Sequence, residues 1–233
     1  MSQLFNLPPA PVLAVTGENA TFPVNRIFCV GKNYADHVRE MGGEPDAEKG
    51  TPIYFTKSHP AFCASGATIA YAPGTANFHY EMELVVAIGS PGFRIAEADA
   101  MDHVFGYACG LDMTRRDLQS AAKDKGNPWD TAKDFENAAV LAPLTRKDAF
   151  GTLADQPLSL MQNGETRQQA ALSQMIWSVP EVIADLSRMY HLTAGDLIFT
   201  GTPAGVGPVA PGDELTGSIA GLEDVRLTIG TPE

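Results

Sequence analysis

A mixed α+β fold, strand-rich and with only a few short helices, is predicted by three features of this sequence. Short apolar or alternating runs bounded by Gly, Pro and Asn are more numerous than helical stripes. The two kinds of element do not alternate regularly, which argues against a doubly wound parallel sheet. Asn163-Gly164 marks a tight hairpin, so two antiparallel strands should meet there.

Residues 1–24 are rich in Pro and lack a helical stripe. Val12-Leu13-Ala14-Val15 reads as an outer strand in a small N-terminal extension, with residues 25–233 as the main domain. Ile27-Phe28-Cys29-Val30 is a buried strand, and Asn33 is placed to cap a short helix over 34–40 that Gly42-Gly43 ends. The polar, breaker-rich sequel makes residues 38–50 a candidate lid. Strands are expected at 53–56, 68–71, 83–88 and 105–109, with a helical turn at 96–101. Thr114 is placed to cap a helix over 115–123, which Gly126-Asn127-Pro128 breaks. The clearest amphipathic helix is 180–190, with Val182, Ile183, Leu186 and Met189 at helical spacing, and the tail holds strands at 197–200 and 224–229.

Composition narrows the function classes. The formal charge of −12 over 233 residues argues against a nucleic-acid or anionic-membrane surface, since either needs a basic patch, and leaves small molecules as the expected partners. Cys29, Cys63 and Cys109 are an odd number, widely spaced, and read as reduced core residues. No apolar run approaches the roughly 20 residues needed to cross a bilayer, and the N-terminus lacks the pattern of a signal peptide, so a soluble cytoplasmic protein is expected.

The stretch His79-Tyr80-Glu81-Met82-Glu83-Leu84 carries the most chemistry. In a strand Glu81 and Glu83 share one face, and the apolar run that follows suggests burial. Two buried carboxylates must protonate, face water or share a cation. An exposed edge strand carrying two Glu is the alternative. Asp112, at the junction of a buried strand and a helix, supplies a third acid, though by itself it also fits a helix-capping Asp. Three carboxylates form the all-oxygen set that suits Mg²⁺, Mn²⁺ or Ca²⁺ and suits zinc or copper poorly.

Six blocks in order make the chain similar to the fumarylacetoacetate hydrolase family, in its short acylpyruvate and fumarylpyruvate hydrolase branch, from about residue 26 to 229. They are Gly31-Lys32-Asn33-Tyr34-Ala35-Asp36-His37, His79 to Leu84, Gly110-Leu111-Asp112-Met113-Thr114, Lys125-Gly126-Asn127-Pro128-Trp129, Gln162-Asn163-Gly164-Glu165, and Thr200-Gly201-Thr202-Pro203-Ala204-Gly205-Val206-Gly207. The resemblance implies a strand-rich β-sheet roll and a divalent ion, Mg²⁺ or Mn²⁺, held by Glu81, Glu83 and Asp112. It implies a water-activating dyad of His37 and Glu40, whose spacing of three also places them together on a helix. Read alone, such a pair more often faces solvent on a short helix.

The resemblance further implies that Lys125 steadies negative charge at the reacting carbonyl, although Lys125 also reads as a solvated member of a charge cluster. Arg116, Gln119 and Thr202 match substrate-contacting positions. Lys57 is a weaker match, because Ser58-His59 is inserted between it and Pro60, and the block from Ala132 to Val140 lacks the Ser and Pro of its counterpart. The implied reaction is hydrolysis of a carbon–carbon bond in a small anionic 2,4-diketo acid. Fumarylpyruvate, from gentisate-type aromatic catabolism, is the first choice, cleaved by a homodimer without nucleic-acid or membrane partners. A second carboxylate on such a substrate would need Arg116 or Lys57. Decarboxylation or tautomerisation of oxaloacetate, or hydrolysis of another acylpyruvate such as acetylpyruvate, are the rival readings.

Overall fold

The computed structural model describes residues 4–44 and 49–233. Strands β1 (Val12–Ala14) and β2 (Thr21–Pro23) pair with each other, and β3 (Ile27–Gly31) leads into helix α1 (Ala35–Glu40). Next come β4 (Ile53–Lys57), β5 (Phe62–Ala64), β6 (Ala67–Ile69), β7 (Phe78–Tyr80) and β8 (Met82–Ile88). The long β9 (Val104–Asp112) and short β10 (Thr114–Arg115) precede helices α2 (Arg116–Lys125) and α3 (Asp130–Lys133). Then follow β11 (Ala139–Leu141), β12 (Thr145–Arg146), α4 (Lys147–Phe150), β13 (Pro157–Gln162), β14 (Glu165–Ala171) and α5 (Val179–Met189). The last strands are β15 (Leu197–Phe199), β16 (Gly207–Pro208), β17 (Glu214–Ile219) and β18 (Val225–Ile229).

Two sheets carry the fold. The larger runs β4-β3-β15-β8-β9-β11-β5, with β12 also on β9, and the smaller runs β14-β13-β17-β18-β6. Both are mixed, since β3–β15, β5–β11 and β6–β18 are parallel pairs among antiparallel ones. β8 lies inside the larger sheet between β15 and β9, and all seven of its residues are buried. That position explains its unbroken apolar run, because both faces are covered. On one face Met82 presses so closely on Gly217 of β17 that a Cβ there would meet the Met82 sulfur at 2.3 Å, so the second sheet packs there. Glu81 and Glu83 therefore belong to the other side.

The expected α+β character holds, with differences of detail. The strand expected to run through Glu81 breaks there, separating β7 from β8. Asn33 does not cap α1. It is wholly buried, donating to the Trp177 and Thr200 carbonyls at 2.9 and 2.7 Å and accepting from the Trp177 amide at 2.7 Å, which pins the start of α1 to two distant loops. Thr114 does not cap α2 either, because its hydroxyl donates to the Asp112 carbonyl and it lies inside β10. The hairpin forms as expected: Gln162 pairs with Glu165, and Asn163 and Gly164 take φ of 54° and 79°. Within residues 1–24, Leu13, Val15, Phe22 and Val24 are buried in the common core. Of the candidate lid, residues 45–48 lie outside the described residues. Cys29, Cys63 and Cys109 are buried and free.

Replacing Asn33 with Ala removes three buried hydrogen bonds and orphans their backbone partners. The expected loss is about 2–4 kcal/mol in urea unfolding, larger than for an ordinary surface substitution.

Candidate active site

The pairing of β8 with β9 assembles the three acids. Met82 stands opposite Leu111, so the preceding residue on one strand and the following one on the other, Glu81 and Asp112, are neighbours, and the Asp112 amide donates to the Glu81 carbonyl at 2.9 Å. Glu83 lies two residues along. All three are buried, and one oxygen of each lies within 4.8 Å of the others.

Three cations surround them. Lys133 Nζ reaches Glu81 at 2.7 Å, Asp112 at 2.8 Å and the Thr114 hydroxyl at 2.7 Å. Arg116 donates to Glu81 and to the Gln119 carbonyl oxygen, each at 2.5 Å. Lys57 Nζ stands 2.8 Å from Asp112 Oδ1 and also donates to the Lys133 carbonyl. Burial raises the Glu81 pKa, but Lys133 and Arg116 outweigh it and hold the carboxyl below its ordinary range. Burial likewise opposes charge on Lys133, yet Asp112 and Glu81 leave its pKa raised.

Glu83 is the exception. Among the described residues it forms no ion pair, and it accepts only the Gly201 amide, at 2.6 Å. Burial first, then Asp112 and Glu81, push its carboxyl well above the usual range. Asp112 Oδ1 is buried and, among the described residues, is met only by the Lys57 ammonium at 2.8 Å. A buried acid lacking a counter-charge beside two further buried carboxylates is a donor set that fits a hard divalent cation. Glu81, Glu83 and Asp112 are the residues that could hold it.

The dyad residues come from α1. His37 Nδ1 lies 3.0 Å from Glu40 Oε2, and the other Glu40 oxygen accepts the Gly205 amide at 2.8 Å. One loop, 200–207, thus serves both acids: Gly201 holds Glu83 and Gly205 holds Glu40. Both glycines have φ near +97°, and each sits too close to its neighbours for a side chain. A Cβ on Gly201 would meet Asn33 Cβ at 2.6 Å, and one on Gly205 the Arg167 carbonyl at 2.1 Å.

His37, Glu81, Glu83, Arg116, Gln119, Thr202 and Lys133 open onto one narrow cavity. The Thr202 hydroxyl is already engaged, donating to the Met82 carbonyl and accepting from Gln168. Two residues fall elsewhere. Lys125 is exposed at the end of α2 and lines no part of this cavity, because it stands about 200° round the helix from Lys123, which does. Lys57 is buried behind Asp112, where it stands as that carboxylate's counter-charge, and also lines no part of the cavity. Lys133 is the lysine at the acids. It lies inside the Ala132 to Val140 block, where Lys133 and Asp134 form a charged pair between apolar Ala132 and Phe135. His79 opens the same motif as the acids. It accepts from Arg116 Nε at 3.4 Å and contacts Asn77 at 2.8 Å, and burial followed by the Arg116 charge lowers its pKa to about 4, so it is a neutral prop for Arg116.

Comparison with known proteins agrees with this architecture. Residues 26–230 match the family described as fumarylacetoacetate (FAA) hydrolase C-terminal. The chain belongs to the fumarylacetoacetate hydrolase family. It is 50% identical over 194 residues to a fumarylpyruvate hydrolase of a Ralstonia species, covering 83% of this chain and all of that one. A crystal structure of fumarylpyruvate hydrolase from Pseudomonas aeruginosa, in complex with Mn²⁺ and pyruvate, superposes with a TM-score of 0.94 at 44% identity, covering 99% of this chain and 100% of that one. A mitochondrial oxaloacetate tautomerase of Homo sapiens is 42% identical over 207 residues, 89% of this chain and 92% of its own.

Protonated Glu83 favours the metal-free fold. Its raised pKa means that this stabilisation is fully present below the ordinary carboxylate range and is lost as pH rises through the folded-state value. Metal must displace that proton. Thermal unfolding with and without Mn²⁺ should therefore show stabilisation by the ion that grows from pH 5.5 to pH 8. In Glu83→Gln, which has no proton to give up at this position, the Mn²⁺ effect should be weak at both values.

Proposed function

We propose that this chain hydrolyses the bond between C3 and C4 of an acylpyruvate, converting fumarylpyruvate and water into fumarate and pyruvate. The observation that carries the reading is that one cavity is lined by Glu81 and Glu83 of a buried three-acid group, by His37 of a His–Glu pair and by several cations. The 50% identity to a fumarylpyruvate hydrolase and the pyruvate-bound neighbour support the choice of substrate.

Glu81, Glu83 and Asp112 would hold the divalent ion, Mg²⁺ or Mn²⁺, which when bound supplies Lewis-acid polarisation of substrate oxygens. His37 has Nδ1 engaged with Glu40, leaving Nε2 as the nitrogen able to take a proton from water. Glu40 does not line the cavity, so it acts through the imidazole, fixing its tautomer and stabilising the imidazolium. Hydroxide adds to the C4 carbonyl, and Lys133 places its charge beside the resulting oxyanion, the role first expected of Lys125. Arg116, held by Glu81 and Gln119, faces a substrate carboxylate. When C3–C4 breaks, C4 becomes the carboxyl group of the released acid, the electron pair goes to the pyruvate side as its enolate, and His37 returns the proton to C3 to give pyruvate. The reading extends to a cytoplasmic homodimer in gentisate-type aromatic catabolism.

The 42% identity to an oxaloacetate tautomerase favours a second reading, in which the same cavity interconverts keto and enol forms without adding water. Pyruvate release from fumarylpyruvate, acetylpyruvate and oxaloacetate, with Mg²⁺ and after chelation, separates the two. Hydrolysis strongest on fumarylpyruvate supports the first reading. Loss of the oxaloacetate enol absorbance without pyruvate from either acylpyruvate supports the second. Glu40→Gln should lower kcat for hydrolysis by about 10²–10⁴-fold, the usual range for general-base catalysis, while leaving KM within a small factor.

A further inference from the structure

A fumaryl group ends in a second carboxylate, which must find a positive charge in a protein whose overall charge is −12. The two cations that sequence suggested for it are not available. Arg116, held by Glu81 and Gln119, is already assigned to the other substrate carboxylate, and Lys57 is sealed behind Asp112. Two other lysines stand in the cavity wall. Lys32 follows β3 and Lys123 lies in the last turn of α2, so unconnected elements bring like charges to one space. Among the described residues neither forms an ion pair. Burial, then Lys32, then Arg116 lower the Lys123 pKa, so these positive charges sense one another across the cavity.

Convergence of unpaired like charges is unfavourable unless an anion relieves it. The backbone at Lys32 adds to the cost. Its φ of 58° is left-handed, which strains a residue other than Gly, Asn or Asp. Phe55 and Trp129, ring centroids 5.9 Å apart, line the same cavity and suit a flat conjugated chain.

We propose that Lys32 and Lys123 form the subsite for the far carboxylate of a dicarboxylic acylpyruvate, and so select fumarylpyruvate over acylpyruvates ending in an uncharged group. This rests on the proposed hydrolase function. Lys32 is exposed and Lys123 half-buried, so each contact is modest, and together they should give about tenfold, equivalent to about 1.4 kcal/mol.

The test compares wild type, the double variant Lys32→Asn with Lys123→Gln, and the charge-keeping Lys32→Arg with Lys123→Arg. Asn is chosen because it tolerates the left-handed backbone. Relative to wild type, kcat/KM of the neutral variant for fumarylpyruvate should fall about tenfold further than for acetylpyruvate, mainly through KM, and the Arg variant should recover the difference. Calorimetry on Mn²⁺-loaded protein should show wild type preferring fumarate over crotonate, which replaces the far carboxylate with a methyl, and the neutral variant losing that preference. Equal losses on both substrates, or a fumarate preference that survives neutralisation, would overturn the subsite. If wild type cleaves neither acylpyruvate, the hydrolase reading fails while the fumarate–crotonate comparison still decides the subsite.

Discussion

Three carboxylates and three cations buried beneath one cavity form the arrangement on which the rest of this structure depends. Charges out of water are tolerated only when each meets a partner in good geometry. Glu81 and Asp112 are neighbours because β8 and β9 pair in one register, and a slip by one residue would turn the acids into the opposite sheet. Lys57 must arrive from β4 and Lys133 from α3, so the larger sheet and the short helices are mutually constrained. The Ser58-His59 insertion takes part. The Ser58 amide and hydroxyl both donate to Asp134 at 2.8 Å, fastening the end of β4 to the residue after Lys133.

Glu83 is where this balance is left open. The other two acids each meet two cations, whereas Glu83 meets a backbone amide. An ion bound there would complete the charge of the core as well as serve the chemistry, so stability and activity draw on the same few atoms.

Patterns confined to one element were legible in the sequence. Alternation along one strand placed Glu81 with Glu83, the spacing of three placed His37 with Glu40, and Asn163-Gly164 announced its hairpin. What needed two distant elements was not. Lys133 and Lys125 look alike as lysines beside an Asp in short polar segments, and only the path of the chain after the Gly126 turn separates a buried ammonium from a solvated one. Asn33 and Thr114 have the chemistry of helix caps, but tertiary partners claimed their side chains: the 177 and 200 loops for Asn33, Asp112 and Lys133 for Thr114. Lys57 matched its motif, yet its depth depends on what packs over β4, which no local pattern records.

Gln168 lies on β14, at the edge of the smaller sheet, and is wholly buried. Its carbonyl oxygen accepts the Met82 amide at 2.9 Å and its amide donates to Thr202 and Pro203 at 2.8 Å, so one side chain bridges the strand between the acids and the loop behind them. Any fluctuation that peels this edge strand from β13 withdraws all three bonds together. Opening of a peripheral hairpin and loosening of the ion-binding floor therefore become a single event, which ties the rate of ion exchange to the breathing of a sheet that contributes no ligand of its own.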